Sequence, residues 1–296
     1  MDNNIKNLPA YLALVAGVFI IGTSPILVKL ANLPGLVSGF YRVGIAALAL
    51  LPFWAYREGR KGIPTWDNLK FILLGGVLFG IDIALWNTSI LMTTAAKATL
   101  LSNNAPIWVA LGAAVFFKEK LDRKYWFGLA LALVGMSFIL GINQIRTAPL
   151  SVGDLLAFST SFIYAGVMLA TQSARTRVNT LTFSALYTTV AALTLLPVAL
   201  LTRQQLAGFS SETWWALLGL GLGPQVLGWL LINYAMGYLR ASHISVSLLG
   251  QPVVTAILGV LILSEALTPN QIIGGGLALA GIYLVNQKNA NKRKPA

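Results

Sequence analysis

The sequence contains no cysteine and a single histidine. Disulfides, thiolate metal sites and cysteine nucleophiles are thereby excluded, and one imidazole is too few for a histidine-built metal centre. Charge is scarce as well: 10 % of the residues are charged, where a soluble domain carries about a quarter. Only nine are acidic, which leaves little material for paired acid–base chemistry or for a diphosphate-binding aspartate cluster. No metal and no cofactor are expected. What fills the chain instead is 56 % hydrophobic residues.

These residues gather in blocks of roughly 18–25 with almost no charge, each long enough to cross ~30 Å of hydrocarbon. Ten blocks fall roughly at 10–29, 35–56, 69–91, 94–116, 124–141, 152–173, 180–201, 213–237, 241–262 and 270–286. Their continuity predicts helices, because barrel strands alternate polar and apolar residues over shorter segments. The expected fold class is all-α and integral to a membrane. The opening MDNNIKNLPA leads into the first block without a small-residue cleavage signal, so no removed signal peptide is expected.

A formal net charge of +12 raises nucleic acid as a partner, but its placement argues against that. With the N-terminus in the cytoplasm, the inner segments hold Lys6, then Arg57, Arg60, Lys61 and Lys70, then Lys118, Lys120, Arg123 and Lys124. Arg175, Arg177, Arg240, Lys288, Lys292, Arg293 and Lys294 follow on the same side. The outer segments hold only Arg146 and Arg203. This asymmetry predicts an inner-membrane protein with both termini cytoplasmic. The tail KNANKRK then reads as a topology anchor against anionic lipid, not as a nucleic-acid-binding arm.

Two stretches repeat one pattern: NNAPIWVALGAAVFFKEKL from Asn103 and LGQPVVTAILGVLILSEAL from Leu249. A constant step of 146 residues carries Pro106 to Pro252, Glu119 to Glu265, Leu121 to Leu267, Gly128 to Gly274 and Gly135 to Gly281. The same step carries Gly75 to Gly221, Asn87 to Asn233 and Ala95 to Ala241. The chain reads as a duplicated five-span unit, residues 1–146 and 147–296. Five is odd, so the second copy enters the membrane from the opposite face, which makes two inverted five-helix repeats about a pseudo-twofold axis. The loop KEKLDRK after the fourth block is basic, whereas its counterpart SEALTPNQ has no lysine or arginine, as the positive-inside rule demands of opposite faces. Such repeats provide alternating access by exchanging the conformations of the halves.

The two five-span halves, the proline in each fourth span, the short loops ending in glutamate (FFKEKL and LILSEAL) and the glycine-spaced GLALALVGMSFIL and GGLALAGIYLV resemble one known group. It is the drug/metabolite transporter superfamily, EamA family. The resemblance runs over roughly residues 10–287. It implies a central cavity lined by spans one to four and six to nine, with the fifth and tenth peripheral. It also implies transport of small metabolites, often export of amino acids or related compounds, without a covalent cofactor.

Charge in hydrocarbon is costly, ~2.5–3.5 kcal/mol for Asp, Lys or Arg at a helix centre on insertion scales. The charges retained within spans, Arg42, Asp82 and Lys97, are therefore candidates for function. At ~1.5 Å rise per residue, Arg42 lies roughly 10 Å and Asp82 roughly 13 Å below the outer ends of their spans, and Lys97 about 5 Å. Depth matches Arg42 with Asp82. Either these two form a structural pair while Lys97 snorkels outward, or a cation is left for a substrate carboxylate or phosphate and Asp82 exchanges a proton during the cycle. The three charges sum to a positive value, which favours an anionic or zwitterionic small-molecule substrate.

Helical spacing supplies further candidates. Gln225, Trp229 and Asn233 share a stripe of span eight, Lys97, Asn104 and Trp108 a face of span four, and Asp82 and Trp86 a face of span three with Asn87 about 100° around. The asparagines and Gln251 line a pocket or act as interhelical glue worth ~0.6–2 kcal/mol. The tryptophans line it or pack in the core and interface belt. Tyr164 supplies a hydroxyl or packs.

His243, the repeat mate of Lys97, sits near the cytoplasmic mouth, as a pH-sensitive gate or as a satisfied boundary residue. Pro25, Pro106, Pro224 and Pro252 interrupt spans, each removing a backbone hydrogen bond, and are the candidate hinges of a gate. The run GLGLGP from Gly219 lacks the preceding strand and following lysine of a phosphate loop, so it reads as close helix packing, as do Gly76 and Gly80. The leading expectation is a secondary transporter that exports a small polar metabolite, with proton coupling and oligomeric state left open. Its rivals are an integral membrane enzyme acting on a lipid or isoprenoid, and a structural subunit.

Overall fold

The computed structural model describes residues 3–141, 151–264 and 266–287, and all the regular structure within them is helical. Glu265, Arg146 and the basic tail, on which part of the charge and repeat argument fell, lie outside the described residues. Among the described residues, nine helical segments combine the length and hydropathy needed to cross a bilayer: Asn7–Ala31, Gly35–Arg57, Trp66–Met92, Lys97–Phe116, Arg123–Leu140, Val152–Arg175, Thr180–Leu201, Ser211–Met236 and Ala241–Ile262. A tenth helix, Pro269–Asn286, follows with 18 residues. They are spans one to ten below.

Polar caps mark where several helices begin. Asp122, Asn179 and Ser210 each accept a hydrogen bond from the backbone three residues on, and Ser151–Asp154 and Thr268–Gln271 form reciprocal capping boxes. At the edge of hydrocarbon the first N–H groups of a helix lack other partners, so these side chains set the start of the span. Large apolar side chains such as Leu48, Val115, Phe116, Leu201 and Leu261 stay exposed on the circumference, which is stable only where the outer solvent is lipid.

Four spans are discontinuous. Span one breaks at Thr23, between Asn3–Gly22 and Ser24–Ala31, and span four between Ala95–Ser102 and Ala105–Phe116. Span nine breaks between Ala241–Leu248 and Gln251–Leu263, and span eight contains a π-helical stretch, Gly221–Gly228. Each discontinuity carries one of the four prolines: Pro25, Pro106 and Pro252 open the segment after the break, and Pro224 lies inside the π-helix. Proline cannot donate to the turn before it, so carbonyls there are released. In span four the Asn103 amide donates to Thr99 O at 2.8 Å, and the Asn104 amide to Leu100 O and Leu101 O at 3.1 Å. The breaks in spans four and nine lie one repeat step apart, Asn103 and Asn104 against Leu249 and Gly250.

Spans five and ten pair with each other more extensively than any other two elements. Glycine makes that possible. A Cβ added to Gly128 would stand 2.9 Å from the Gly281 carbonyl oxygen, and one added to Gly274 would stand 2.6 Å from that of Gly135. Gly274 is the repeat mate of Gly128, and Gly281 of Gly135, so the contacts cross over as a twofold axis demands of a self-complementary interface. Crossed contacts also make the two helices antiparallel. The fold is thus two inverted five-helix repeats, with spans five and ten paired together and the remaining eight grouped around the interior.

Candidate functional site

Two opposite charges stand well inside the bundle. Arg42 comes from span two and Asp82 from span three, and both side chains keep some accessible surface. The Arg42 Nε donates to Gln225 Oε1 of span eight at 2.6 Å. No ion pair joins Arg42 to Asp82, and no hydrogen bond engages Asp82 among the described residues. The depth match therefore does not become a pair, because the π-helical Gln225 presents its carbonyl to the guanidinium first. Both charges act electrostatically on the phenols of Tyr164 in span six and Tyr187 in span seven.

The π-helix brings span eight to this place. Within it, Gly221 lies against Ile45 of span two and Gly228 against Ile21 of span one. Such stretches shift the azimuth of every later residue and are concentrated at functional sites. Trp229 closes the group: Phe79 of span three meets its ring edge-on at 5.7 Å and stacks on Tyr187 at 5.3 Å. The Tyr187 hydroxyl, Gln225 Nε2 and Trp229 Nε1 are all buried without a hydrogen-bond partner among the described residues. Each such group ordinarily costs ~1–3 kcal/mol. Trp86 is half-buried, one turn beyond Asp82.

Other candidates are engaged by protein. Lys97 does not snorkel outward: its Nζ lies 2.6 Å from Asp154 Oδ2, at the start of span six. Thr93 Oγ1 donates to the other carboxylate oxygen at 2.7 Å. The Asn87 amide donates to Ile83 O at 2.7 Å and its oxygen lies against Gly35, where span two begins. Asn233 donates to Ser184 Oγ at 3.0 Å, near the start of span seven. These repeat-related asparagines thus brace the third helix of each half against its second. Trp108 donates to Ser161 Oγ at 2.9 Å and stacks on Phe162 at 3.9 Å, which fastens span four to span six.

A polar cluster closes the end where span four gives way to span five. Glu119 accepts from Ser242 Oγ at 2.6 Å and from Gln172 Nε2 at 3.3 Å, bridging this loop to spans nine and six. Gln172 accepts from the Ala241 backbone N–H, and Tyr125 donates to Ser242 O at 3.1 Å. His243 is 3 % exposed, with Nδ1 3.1 Å from Ser242 Oγ. It is a packed member of this cluster. Arg175, counted from the sequence among the inner-side charges, is buried and donates to Asn233 O, Val178 O and Thr180 Oγ1. It straps span six to spans seven and eight.

Sequence reasoning missed Asp154, Tyr187 and Glu119 as participants. Asp154 satisfies a capping box, which hid its second role. Tyr187 stands in an otherwise featureless apolar span, and only the duplication of Glu119 as Glu265 pointed to that residue.

The EamA-like transporter family model matches residues 8–141 and again residues 151–287, once on each repeat. An uncharacterized transporter of Archaeoglobus fulgidus is 28 % identical over 273 residues, covering 92 % of this chain and 94 % of that protein. A probable terminal-alkyne amino-acid exporter of Streptantibioticus cattleyicolor is 27 % identical over 262 residues, covering 86 % and 85 %. A crystal structure superposes with a TM-score of 0.80 at 18 % identity, over 94 % of this chain and 96 % of that one, which bears on the fold alone. With both of its halves matched, this multi-pass membrane protein belongs to the EamA-like transporter family.

Proposed function

We propose that the protein is a secondary transporter of the inner membrane, with both termini cytoplasmic, that exports a small zwitterionic metabolite by alternating access between its repeats. The substrate class is an amino acid or a close relative. One observation carries this reading: Arg42 and Asp82 share an interior neighbourhood yet remain unpaired with each other. Charges retained in hydrocarbon need partners, and a ligand bearing a carboxylate and an ammonium offers one to each. The name of the Streptantibioticus cattleyicolor relative, a probable terminal-alkyne amino-acid exporter, supports both the substrate class and the direction.

In this reading Arg42, Asp82, Trp86, Tyr164, Gln225 and Trp229 form the substrate site. Lys97, Asn87, Asn104, Trp108 and Asn233 hold the spans around it, and His243 belongs to the closure at one mouth. The breaks at Pro25, Pro106, Pro224 and Pro252 are the hinges on which the halves, residues 1–146 and 147–296, exchange conformations. Asp82 is the group that couples transport to protons. The test is efflux from proteoliposomes loaded singly with each labelled proteinogenic amino acid, with and without a pH gradient. Efflux of at least one, abolished by Arg42→Gln, is expected; no efflux of any rejects the amino-acid reading.

A further inference from the structure

Resting on the reading of an interior transport site, we propose that Tyr187, Gln225 and Trp229 complete a carboxylate-recognising subsite on the Arg42 guanidinium, which sets the anionic end of the substrate against spans seven and eight. The three unmet groups are a phenol O–H, an amide NH2 and an indole N–H, and each can donate. Their side chains are 2 %, 1 % and 6 % exposed, and none of the three groups meets a partner among the described residues. They also belong together. Phe79 touches both Tyr187 and Trp229, and the oxygen of the same Gln225 amide already holds Arg42 Nε.

An interior group with surplus donors and a guanidinium selects an acceptor-rich, planar anion. A carboxylate has two oxygens with about four lone-pair sites and fits a guanidinium edge through two parallel bonds. The other edge of Arg42 supplies that geometry, since among the described residues only its Nε is taken by protein. Asp82 argues against a doubly charged phosphate, because its own carboxylate acts on the same two phenols. A monoanion that carries its own cation satisfies both sides.

The unmet donor atoms are buried in this conformation, and the Phe79 ring packs against both Tyr187 and Trp229. Recognition is therefore tied to movement: the donors meet the carboxylate when span three withdraws Phe79 from spans seven and eight. A ligand that binds one conformation better than the other shifts the equilibrium by that difference. Donors unmet in one state and met in the next provide such a difference.

The test compares each proteinogenic amino acid with its carboxamide and its decarboxylated amine, by thermal unfolding of the purified full chain. The acid of at least one set is expected to raise the unfolding temperature, with the amide and amine bound roughly tenfold or more weakly, the loss expected for removing a charge-assisted bond. Tyr187→Phe should narrow the acid-to-amide ratio by a similar factor without lowering the unfolding temperature of the ligand-free protein, and Trp229→Phe should narrow it as well. An amide bound as tightly as its acid overturns the subsite and leaves the transporter reading standing. So does a Tyr187→Phe variant that loses ligand-free stability with the ratio unchanged, because that is a packing role. If no acid, amide or amine binds and no amino acid leaves the proteoliposomes, both readings fail.

Discussion

Lys97 and Asp154 meet at 2.6 Å, each with a side chain only 4 % exposed, and so tie the start of span four in one repeat to the start of span six in the other. Removing one member of a sealed pair leaves a buried charge and costs ~3–5 kcal/mol, whereas replacing both with apolar residues is often close to neutral. Lys97→Met is therefore expected to lower thermal stability by about that much, with the double change Lys97→Met and Asp154→Asn, which keeps an acceptor for Thr93 and for the helix cap, recovering part of it. Ligand preference should not change. Intact stability with weakened binding of anions would return Lys97 to the substrate site.

Glu119 reaches Ser242 and Gln172 across the boundary between the repeats. Glu119→Ala removes both bonds and should loosen the closure at that mouth. The chain has no native cysteine, so Ser245→Cys, at a position 1 % exposed, serves as a reporter without further engineering. Its maleimide labelling is expected to be slow in the parent and faster with Glu119→Ala. Equal rates would mean that the cluster is static packing.

Gly135 and Gly276 make opposite demands. A Cβ at Gly135 would stand 2.5 Å from the Gly274 carbonyl oxygen, while one at Gly276 meets nothing within 4 Å. Gly135→Ala should force spans five and ten apart and cost ~1–3 kcal/mol. Gly276→Ala should cost nothing and gain up to ~1 kcal/mol of helix propensity. Similar unfolding temperatures for the two variants would contradict the crossed glycine interface.

Asp82 decides how pH enters the cycle. If its carboxylate carries the proton as well as meeting the substrate ammonium, Asp82→Asn should abolish transport driven by a pH gradient and leave exchange of substrate for substrate weakened but measurable. Proteoliposomes distinguish the two modes directly. Gradient-driven transport that survives the substitution assigns the coupling elsewhere.

The orientation of the loops is open to labelling from one side. Cysteine at Lys120, in the loop after span four, should react with a membrane-impermeant reagent only from the inner side, and cysteine at Ala266, after span nine, only from the outer side. Reaction of both from one face would undo the inverted arrangement in the bilayer.

Much of the fold was legible because its signals are local or periodic. Apolar blocks long enough for a bilayer predict the helices, and the step from Gly128 to Gly274 and from Gly135 to Gly281 predicts a twofold relation that the crossed contacts of those same glycines realise. Pro106 and Pro252 likewise sit at breaks one repeat step apart. The site was less legible. Asp154, Tyr187 and Glu119 carry no local signature that separates an interior polar contact from a cap, a core aromatic or a solvated loop charge.

Sequence alone determined a duplicated, inverted bundle of apolar helices with few interior charges, since hydropathy and repeat spacing depend only on the order of residues. Which group each charge meets was decided by tertiary structure: Arg42 met Gln225 in place of Asp82, and Lys97 met Asp154 in place of the membrane surface. The reason is geometric. A residue turns ~100° around its helix at each step, and a π-helical turn or a proline break changes that angle for everything beyond it. Contacts within a few ångströms depend on that angle and on how the helices tilt together, and neither is written in any one span.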